Sequence, residues 1–352
     1  MTAELLRSDP SGAGIRRRRC GRGFRYLGPD GKPIADPLTL ARIKALVIPP
    51  AWEDVWICLQ PNGHIQAIGT DSAGRRQYRY HDLWRVQRDQ EKHDRVLEFG
   101  AVLPRVREVV QRHLSGEGLT RERVLAAAIR LIDLGFFRPG GEEYAADNGT
   151  FGLATIRREH VSVTRRELVF EYTAKGAKHR EQAVADEQVR AVVASLKRCR
   201  SGDGELLGYR SSRRWRDVTS AEINDYLREV SGGEFSAKDF RTWHATVLAA
   251  VGLAVSEPAA ANPRARARAI TRVVREVAGY LGNTPAVARS AYIDPRVVEH
   301  YEQGRTIAPA LDGLAASSDF GELATWGPAE AAVLELLTTG RAPVAREVSL
   351  AQ

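Results

Sequence analysis

Four short stretches hold side chains whose types, in this order, are the ones needed to open and reclose a phosphodiester. Arg138 follows a helix end in the Gly-rich turn Gly135-Phe136-Phe137-Arg138-Pro139-Gly140-Gly141, and Lys175 tips a hairpin in Tyr172-Thr173-Ala174-Lys175-Gly176-Ala177-Lys178. Arg241 lies in the first turn of a helix in Lys238-Asp239-Phe240-Arg241-Thr242-Trp243, where the helix dipole also favours phosphate. Asn283 stands at a helix start in Leu281-Gly282-Asn283-Thr284-Pro285, upstream of Arg289-Ser290-Ala291-Tyr292. Metal-free cleavage needs a nucleophile, cations that stabilise the crowded phosphorane, and an acid for the leaving oxygen. A tyrosine phenol can attack and is a tolerable leaving group on the return step. An arginine fork grips two phosphate oxygens and stays charged, and a lysine serves as acid when nearby cations lower its pKa. Singly, each motif is weak: such arginines commonly end helices, such tyrosines commonly pack in cores, and hairpin lysines are commonly just solvated.

Local signals place these residues on elements. Residues 1–23, with Arg16-Arg17-Arg18-Arg19 among Gly and Ser, read as a flexible basic arm. From 24 to about 80 the signals are those of a small β domain, within a first domain taken to end near 90. Apolar stretches at 45–48, 55–59 and 64–68 are separated by Pro49-Pro50, Pro61-Asn62-Gly63 and Ala73-Gly74. Residues 81–99 alternate in charge and read as a solvated helical connector. A catalytic domain, 91–352, is then mainly helical. Val102, Leu103, Val106, Val109, Val110 and Leu114 follow helical spacing with Pro104 near a first turn, and Thr120 caps a helix that ends at Gly135. Residues 167–184 form a β-hairpin with lysines at the tip. Thr219-Ser220-Ala221-Glu222 is a capping box, Ser236 caps the helix of Arg241, and a helix through Ile270 and Val277 stops at Gly282. Thr284-Pro285 restarts a helix that runs to Tyr292 and stops before Pro295. Pro328-Ala329-Glu330 opens a short amphipathic helix in an acidic tail that starts near 311.

Composition sets the partner class. The chain has 352 residues, 43% hydrophobic and 27% charged, which suits a soluble two-domain protein, and no window approaches the apolar run of a membrane span. No signal peptide is expected at the N-terminus, where Leu5-Leu6 is followed at once by polar sequence. Cys20, Cys58 and Cys199 have no metal-ligand spacing and read as free thiols, and the eight histidines offer no zinc pattern. Net charge is +8; residues 1–90 carry 15 basic against 9 acidic side chains, while 311–352 carry 2 against 6. A basic front half suits a polyanion.

The ordered set, with its flanks, resembles the poxvirus-like and bacterial type IB DNA topoisomerases over about 41–304, some three quarters of the chain. Leu46-Val47-Ile48-Pro49-Pro50-Ala51-Trp52, Pro61-Asn62-Gly63-His64-Ile65-Gln66-Ala67 and Gly74-Arg75-Arg76-Gln77-Tyr78-Arg79-Tyr80 look like the family's N-terminal half of a DNA clamp. The resemblance implies an α+β fold: a small N-terminal antiparallel β domain and a larger, mainly α-helical catalytic domain of the tyrosine recombinase/topoisomerase IB type with a small β-sheet. It implies relaxation of supercoiled duplex DNA through a 3′-phosphotyrosine on Tyr292. Arg138 and Arg241 would hold the scissile phosphate, with Lys175 as general acid. Arg75, Arg76, Gln77, Tyr78, Arg79 and Tyr80 would contact DNA, their cations interleaved with planar side chains as suits phosphates and base edges. No cofactor, ATP or metal is implied, and no Gly-Lys-Ser/Thr phosphate loop occurs. The implied protein is a bacterial, cytoplasmic, nucleoid-associated monomer clamping DNA, with no membrane partner. Asn283 departs from the family, which commonly has His there; its amide can donate to a phosphate oxygen but carries neither proton nor charge. The Tyr292 proton then falls to water or to the substrate.

Two rivals remain from sequence. A tyrosine recombinase shares the chemistry, and Phe240-Arg241-Thr242-Trp243-His244-Ala245-Thr246 echoes its second-arginine motif. However, Lys238 stands where recombinases usually have His, and their N-terminal domain is typically helical. A DNA-binding protein without catalysis would use the basic front half equally well, but leaves the four ordered positions unexplained.

Overall fold

The arginine run 16–19, expected in a flexible arm, lies instead in strand β1 (Ile15–Cys20). This correction has a physical cause that a charge run conceals. Ile15 is buried against the core, and Arg17 donates to the carbonyls of Ile48, Pro49 and Trp52 while its guanidinium lies over the Phe24 ring at 4.1 Å. The structure is a computed structural model that describes residues 4–135, 137–141, 149–199, 204–212, 214–256, 262–315 and 326–339. Phe136 of the Gly-rich turn and much of the acidic tail therefore lie outside the described residues. The chain divides into two compact units, Met1–Asp94 and Arg95–Gln352.

In the first unit β1 joins β2 (Gly23–Leu27), β3 (Glu53–Ile57), β4 (Ile65–Thr70) and β5 (Arg76–Tyr80) in an antiparallel sheet of order β2-β1-β3-β4-β5. Ile15, Val55, Ile57 and Ala67 form its core with Ile43 of helix α1 (Pro37–Ala45). The apolar stretch 45–48, expected as a strand, is thus the end of α1 and the turn after it. The start signal was Asp36-Pro37: the Asp36 carboxylate accepts from Thr39 N at 2.8 Å and proline occupies the first helical position.

Helix α2 (Asp82–Leu114) is one helix, so Pro104 sits in its interior rather than in a first turn. The apolar face from Val96 to Leu114 packs into the second unit's core and outweighs the missing backbone bond. Against it lie α3 (Arg121–Gly135), a sheet of order β6-β7-β8 (Val161–Val163, Leu168–Ala174, Lys178–Val184) and α4 (Glu187–Arg198). The hairpin β9–β10 (Gly208–Ser211, Arg214–Asp217) and α5 (Ser220–Ser231) follow. Buried at the centre is α6 (Ala237–Val255), with Phe240 and Trp243 fully enclosed. The remaining helices are α7 (Pro263–Leu281), α8 (Pro285–Ala291), α9 (Pro295–Glu302), α10 (Ala308–Ala315) and α11 (Pro328–Thr338). Val333 and Leu337 of α11 enter the same core, so this piece of the tail packs on the second unit.

Candidate active site

Arg241 owes its placement to the start of α6. Ser236 N and Oγ both donate to Asp239 Oδ2, at 2.8 and 3.0 Å, and Arg95 donates to the same oxygen at 2.7 Å. Ser236 is the N-cap residue, as expected, and the Asp239 carboxylate supplies the reciprocal half of the cap by accepting from its N–H. With that turn fixed, Arg241 is held in the interior at 3% exposure, and its Nη2 donates to Leu281 O at 2.9 Å. Leu281 ends α7, whose last carbonyls carry the negative end of the helix dipole. Gly282, with φ of +64°, turns the chain out of the helix, as the Gly-Asn-Thr-Pro run predicts.

Arg138 meets the same helix end. Its Nη2 donates to Asn283 Oδ1 at 2.7 Å and to Gly282 O at 3.4 Å. Because the guanidinium only donates, Asn283 must present its oxygen there, which turns its amide nitrogen the other way. That Nδ2 is buried and has no partner among the described residues. The turn carrying Arg138 is held by Leu153 N and Ala154 N, which donate to Arg138 O and Pro139 O at 2.8 Å. A Cβ on Gly152 would stand 2.3 Å from Gly140 Cα, so these two backbones touch and only glycine fits.

Tyr292 ends α8, where its N–H donates to Ala288 O. The next residues turn at once into α9, capped by the Asp294 carboxylate with Pro295 in first position. Thr246 of α6 accepts from Asp294 N at 3.2 Å, tying this turn to the helix of Arg241. The Arg241 guanidinium lies 5.3 Å from the Tyr292 ring centre. Lys175 sits at the exposed tip between β7 and β8, where Gly176 and Ala177 both take positive φ.

Arg138, Lys175, Arg241, Asn283 and Tyr292 line one cleft of about 550 Å³, together with Lys238. Among the described residues that line it there is no carboxylate. Burial first, then the charge of Arg138, pushes the Arg241 guanidinium down to about 10. Burial likewise lowers Arg138. For Tyr292 burial acts to raise the phenol, but Arg241 foremost, then Arg138 and Lys238, outweigh it and hold the phenol below its ordinary value. A phosphate in the cleft would relieve both arginines. Lys238 was legible as a site residue: it precedes Arg241 by three, which places the two on one helix face. The close approach of Gly140 and Gly152 had no such signal, because the two glycines are joined only by the fold.

The expected DNA contacts lie in the other unit. Arg76, Tyr78 and Tyr80 are exposed on one face of edge strand β5, with the two rings stacked at 6.0 Å. Gln77 and Arg79 turn to the opposite face. Gln77 and Arg75 both donate to Asp71, whose carboxyl is held down to about 2 by the Arg75 backbone N–H foremost and then by these side chains.

A mainly helical unit with two arginines beside a tyrosine, in a cleft whose charged lining among the described residues is cationic, has the build of a tyrosine-dependent DNA strand-cleaving enzyme. The chain belongs to the type IB DNA topoisomerases: residues 81–308 match the catalytic core of eukaryotic DNA topoisomerase I, and 23–71 match the N-terminal domain of bacterial DNA topoisomerase IB. It is 28% identical to DNA topoisomerase 1B of Acanthamoeba polyphaga mimivirus, over 82% of this chain and 88% of that protein. It is 23% identical to DNA topoisomerase 1B of Vaccinia virus (strain Copenhagen), over 66% of this chain and 71% of that one. With DNA topoisomerase 1 of Schizosaccharomyces pombe the likeness is 29%, over 46% of this chain and 19% of the larger protein.

Proposed function

We propose that the chain relaxes supercoiled duplex DNA by transient cleavage of one strand. The Tyr292 oxygen attacks the phosphorus, forming a 3′-phosphotyrosyl bond as the P–O5′ bond breaks. The Lys175 ammonium gives its proton to the leaving 5′ oxygen, and the Tyr292 proton passes to water. Arg138 and Arg241 hold the two non-bridging oxygens, and Asn283 Nδ2 adds a neutral donor. The free end then rotates, driven by torsion, and the reverse attack by the 5′-hydroxyl restores the strand and releases Tyr292. ATP has no place in this cycle, since the phosphotyrosyl bond conserves the energy of the bond broken. Exposed Arg76, Tyr78 and Tyr80 meet the duplex, with Arg75, Gln77 and Arg79 at its margin, and the protein acts as a monomer clamped on DNA. We assign it to the cytoplasm of a bacterium, at the nucleoid, with 24–90 and 91–352 as its DNA-holding and catalytic domains.

The observation that carries this reading is the Arg241–Tyr292 contact in a cleft whose charged lining residues, among those described, are Arg138, Lys175, Lys238 and Arg241. The test is relaxation of supercoiled plasmid in EDTA without ATP, comparing wild type with Tyr292→Phe. Relaxation by wild type alone is expected, with a covalent 3′ adduct trapped on denaturation. Loss of wild-type relaxation on chelation would overturn the mechanism; binding without relaxation by either protein would favour a recombinase or a non-catalytic binder.

A further inference from the structure

The exposed aromatic strand β5 and the arginine strand β1 sit at different places in one sheet, and the register shows that they share a face. Tyr78 pairs with Ile68, Ile68 with Trp56, and Trp56 with Arg16. Side chains of directly paired residues project to the same side, so Arg16 stands on the face of Tyr78. Alternation along β1 puts Arg18 there too, and the pairing of Arg18 with Arg25 of β2 adds a third arginine. All three are exposed, whereas Arg17, on the opposite face, is used up in binding carbonyls. Among the described residues none of the three has an ion-pair partner, and Asp54, which lines the cleft beside Arg16 and Arg18, pairs with neither. Like charges directly opposite in a sheet are destabilising, so a bare Arg18–Arg25 pair is costly unless an anion lies over it.

We infer that Arg16, Arg18 and Arg25 form a second phosphate-binding strip of the N-terminal unit, gripping the backbone of the duplex whose groove faces Tyr78 and Tyr80. The spacing fits this partner. β1 is three strands from β5 and β2 is four, roughly 14 and 19 Å at about 4.8 Å per strand. The major groove is about 12 Å across, so side chains at β5 in that groove leave the β1–β2 strip over the phosphates of its far wall. Between the two basic margins the face is closed by the N-terminal segment: Trp56 Nε1 donates to Gly12 O, and Gly14 leaves no room for a Cβ against the Trp56 ring. A separation of this kind lets one margin read the groove while the other only positions the protein. The inference rests on the proposed duplex-binding role of β5.

The test is the salt dependence of binding to a 30-base-pair duplex, roughly three helical turns, measured for wild type, for the triple Arg16→Gln/Arg18→Gln/Arg25→Gln variant and for the triple Lys variant. Each phosphate left without its cation should lower the log–log slope by about 0.9, so the slope of the Gln variant is expected to fall by roughly two to three and the Lys variant to keep the wild-type slope. Thermal unfolding of the Gln variant should occur at or above the wild-type temperature, because removal of Arg18 and Arg25 relieves repulsion. A Gln variant with the wild-type slope, or a Lys variant that falls equally, overturns the strip while leaving the β5 reading intact. Salt-independent binding by wild type itself overturns both.

Discussion

In the cleft Arg241 is buried beside Arg138, and the two are steadied by the carbonyl end of α7 and by Asn283. Those carbonyls occupy the arginines much as phosphate oxygens would, which lets two close cations exist before substrate arrives. Their field acts on Tyr292, whose phenol is held below its ordinary value. The sign is that of cations favouring an anion: phenolate forms at lower pH than in free tyrosine. Ultraviolet titration of wild type minus Tyr292→Phe should therefore show a phenol midpoint below about pH 10, and Arg241→Gln should move it up; a wild-type midpoint at or above free tyrosine refutes the assignment. Asn283 tests the donor role separately. Its replacement by Ala removes one donor aimed at the charge that develops, for a loss of about 10²–10³ in single-turnover cleavage rate. Asn283→His, which restores an N–H, should recover most of that, and Asn283→Asp should do worse than Ala because a carboxylate repels phosphate.

At the scale of elements, the turn that presents Arg138 depends on backbone fit as much as on the arginine itself. Gly152→Ala puts a methyl into Gly140, and neither backbone can step aside without moving Arg138. We expect a destabilisation of about 1–3 kcal/mol and a fall in cleavage larger than the fall in duplex affinity, read from single-turnover rates and equilibrium binding on one preparation. Equal losses in both would place the effect in folding alone. The neighbouring elements are cross-linked through a buried set of polar groups. Asp133 of α3, five residues before Arg138, accepts from His244 Nε2, three residues after Arg241, and from Arg107 of α2. Arg107 also donates to Glu330 of α11, and Trp243 Nε1 reaches the same carboxylate at 2.9 Å. The segments that carry Arg138 and Arg241 are thus joined through the Asp133–His244 bond and, by way of Arg107, Glu330 and Trp243, through α11.

For the whole molecule this buried set governs stability. Removing Glu330 leaves Arg107, at 13% side-chain exposure, with one carboxylate fewer and a Trp243 N–H unpaired. Loss of one partner from such a pair costs about 3–5 kcal/mol, so Glu330→Ala should unfold several degrees earlier, with Glu330→Gln less affected since its amide oxygen still accepts from Trp243. A thermal scan that shows no difference would mean α11 contributes nothing to the core. The acid limb follows from Asp133. Burial acts to raise it, but bonds from His244 and Arg107 hold it below its ordinary value. A depressed folded pKa means that its contribution is complete above about pH 4 and fades as pH falls through the folded value. Unfolding temperatures measured from pH 7 down to pH 2 should drop below about pH 4, and Asp133→Asn, less stable at neutrality, should lose part of that dependence.

Sequence alone determined the candidate site residues and the helices that carry them, because a motif such as Lys238-Asp239-Phe240-Arg241 or Thr284-Pro285 sets side-chain type and helix start within a few residues. Capping, turn glycines and the 3.6 period act locally, so the β7–β8 hairpin, the stop at Gly282 and the restart toward Tyr292 were all legible. What lay beyond reach depended on partners distant in sequence. The run 16–19 reads as solvated until Ile57 pairs with Ile15 and three carbonyls meet Arg17. Pro104 looks like a helix start until the packing of α2 carries the helix through it. The Gly140–Gly152 contact, the carbonyl cradle at the end of α7 and the buried Arg107–Glu330 pair have no local signature. They exist because tertiary packing excludes water, and only there does an unpaired charge or a misplaced methyl cost enough to fix a position.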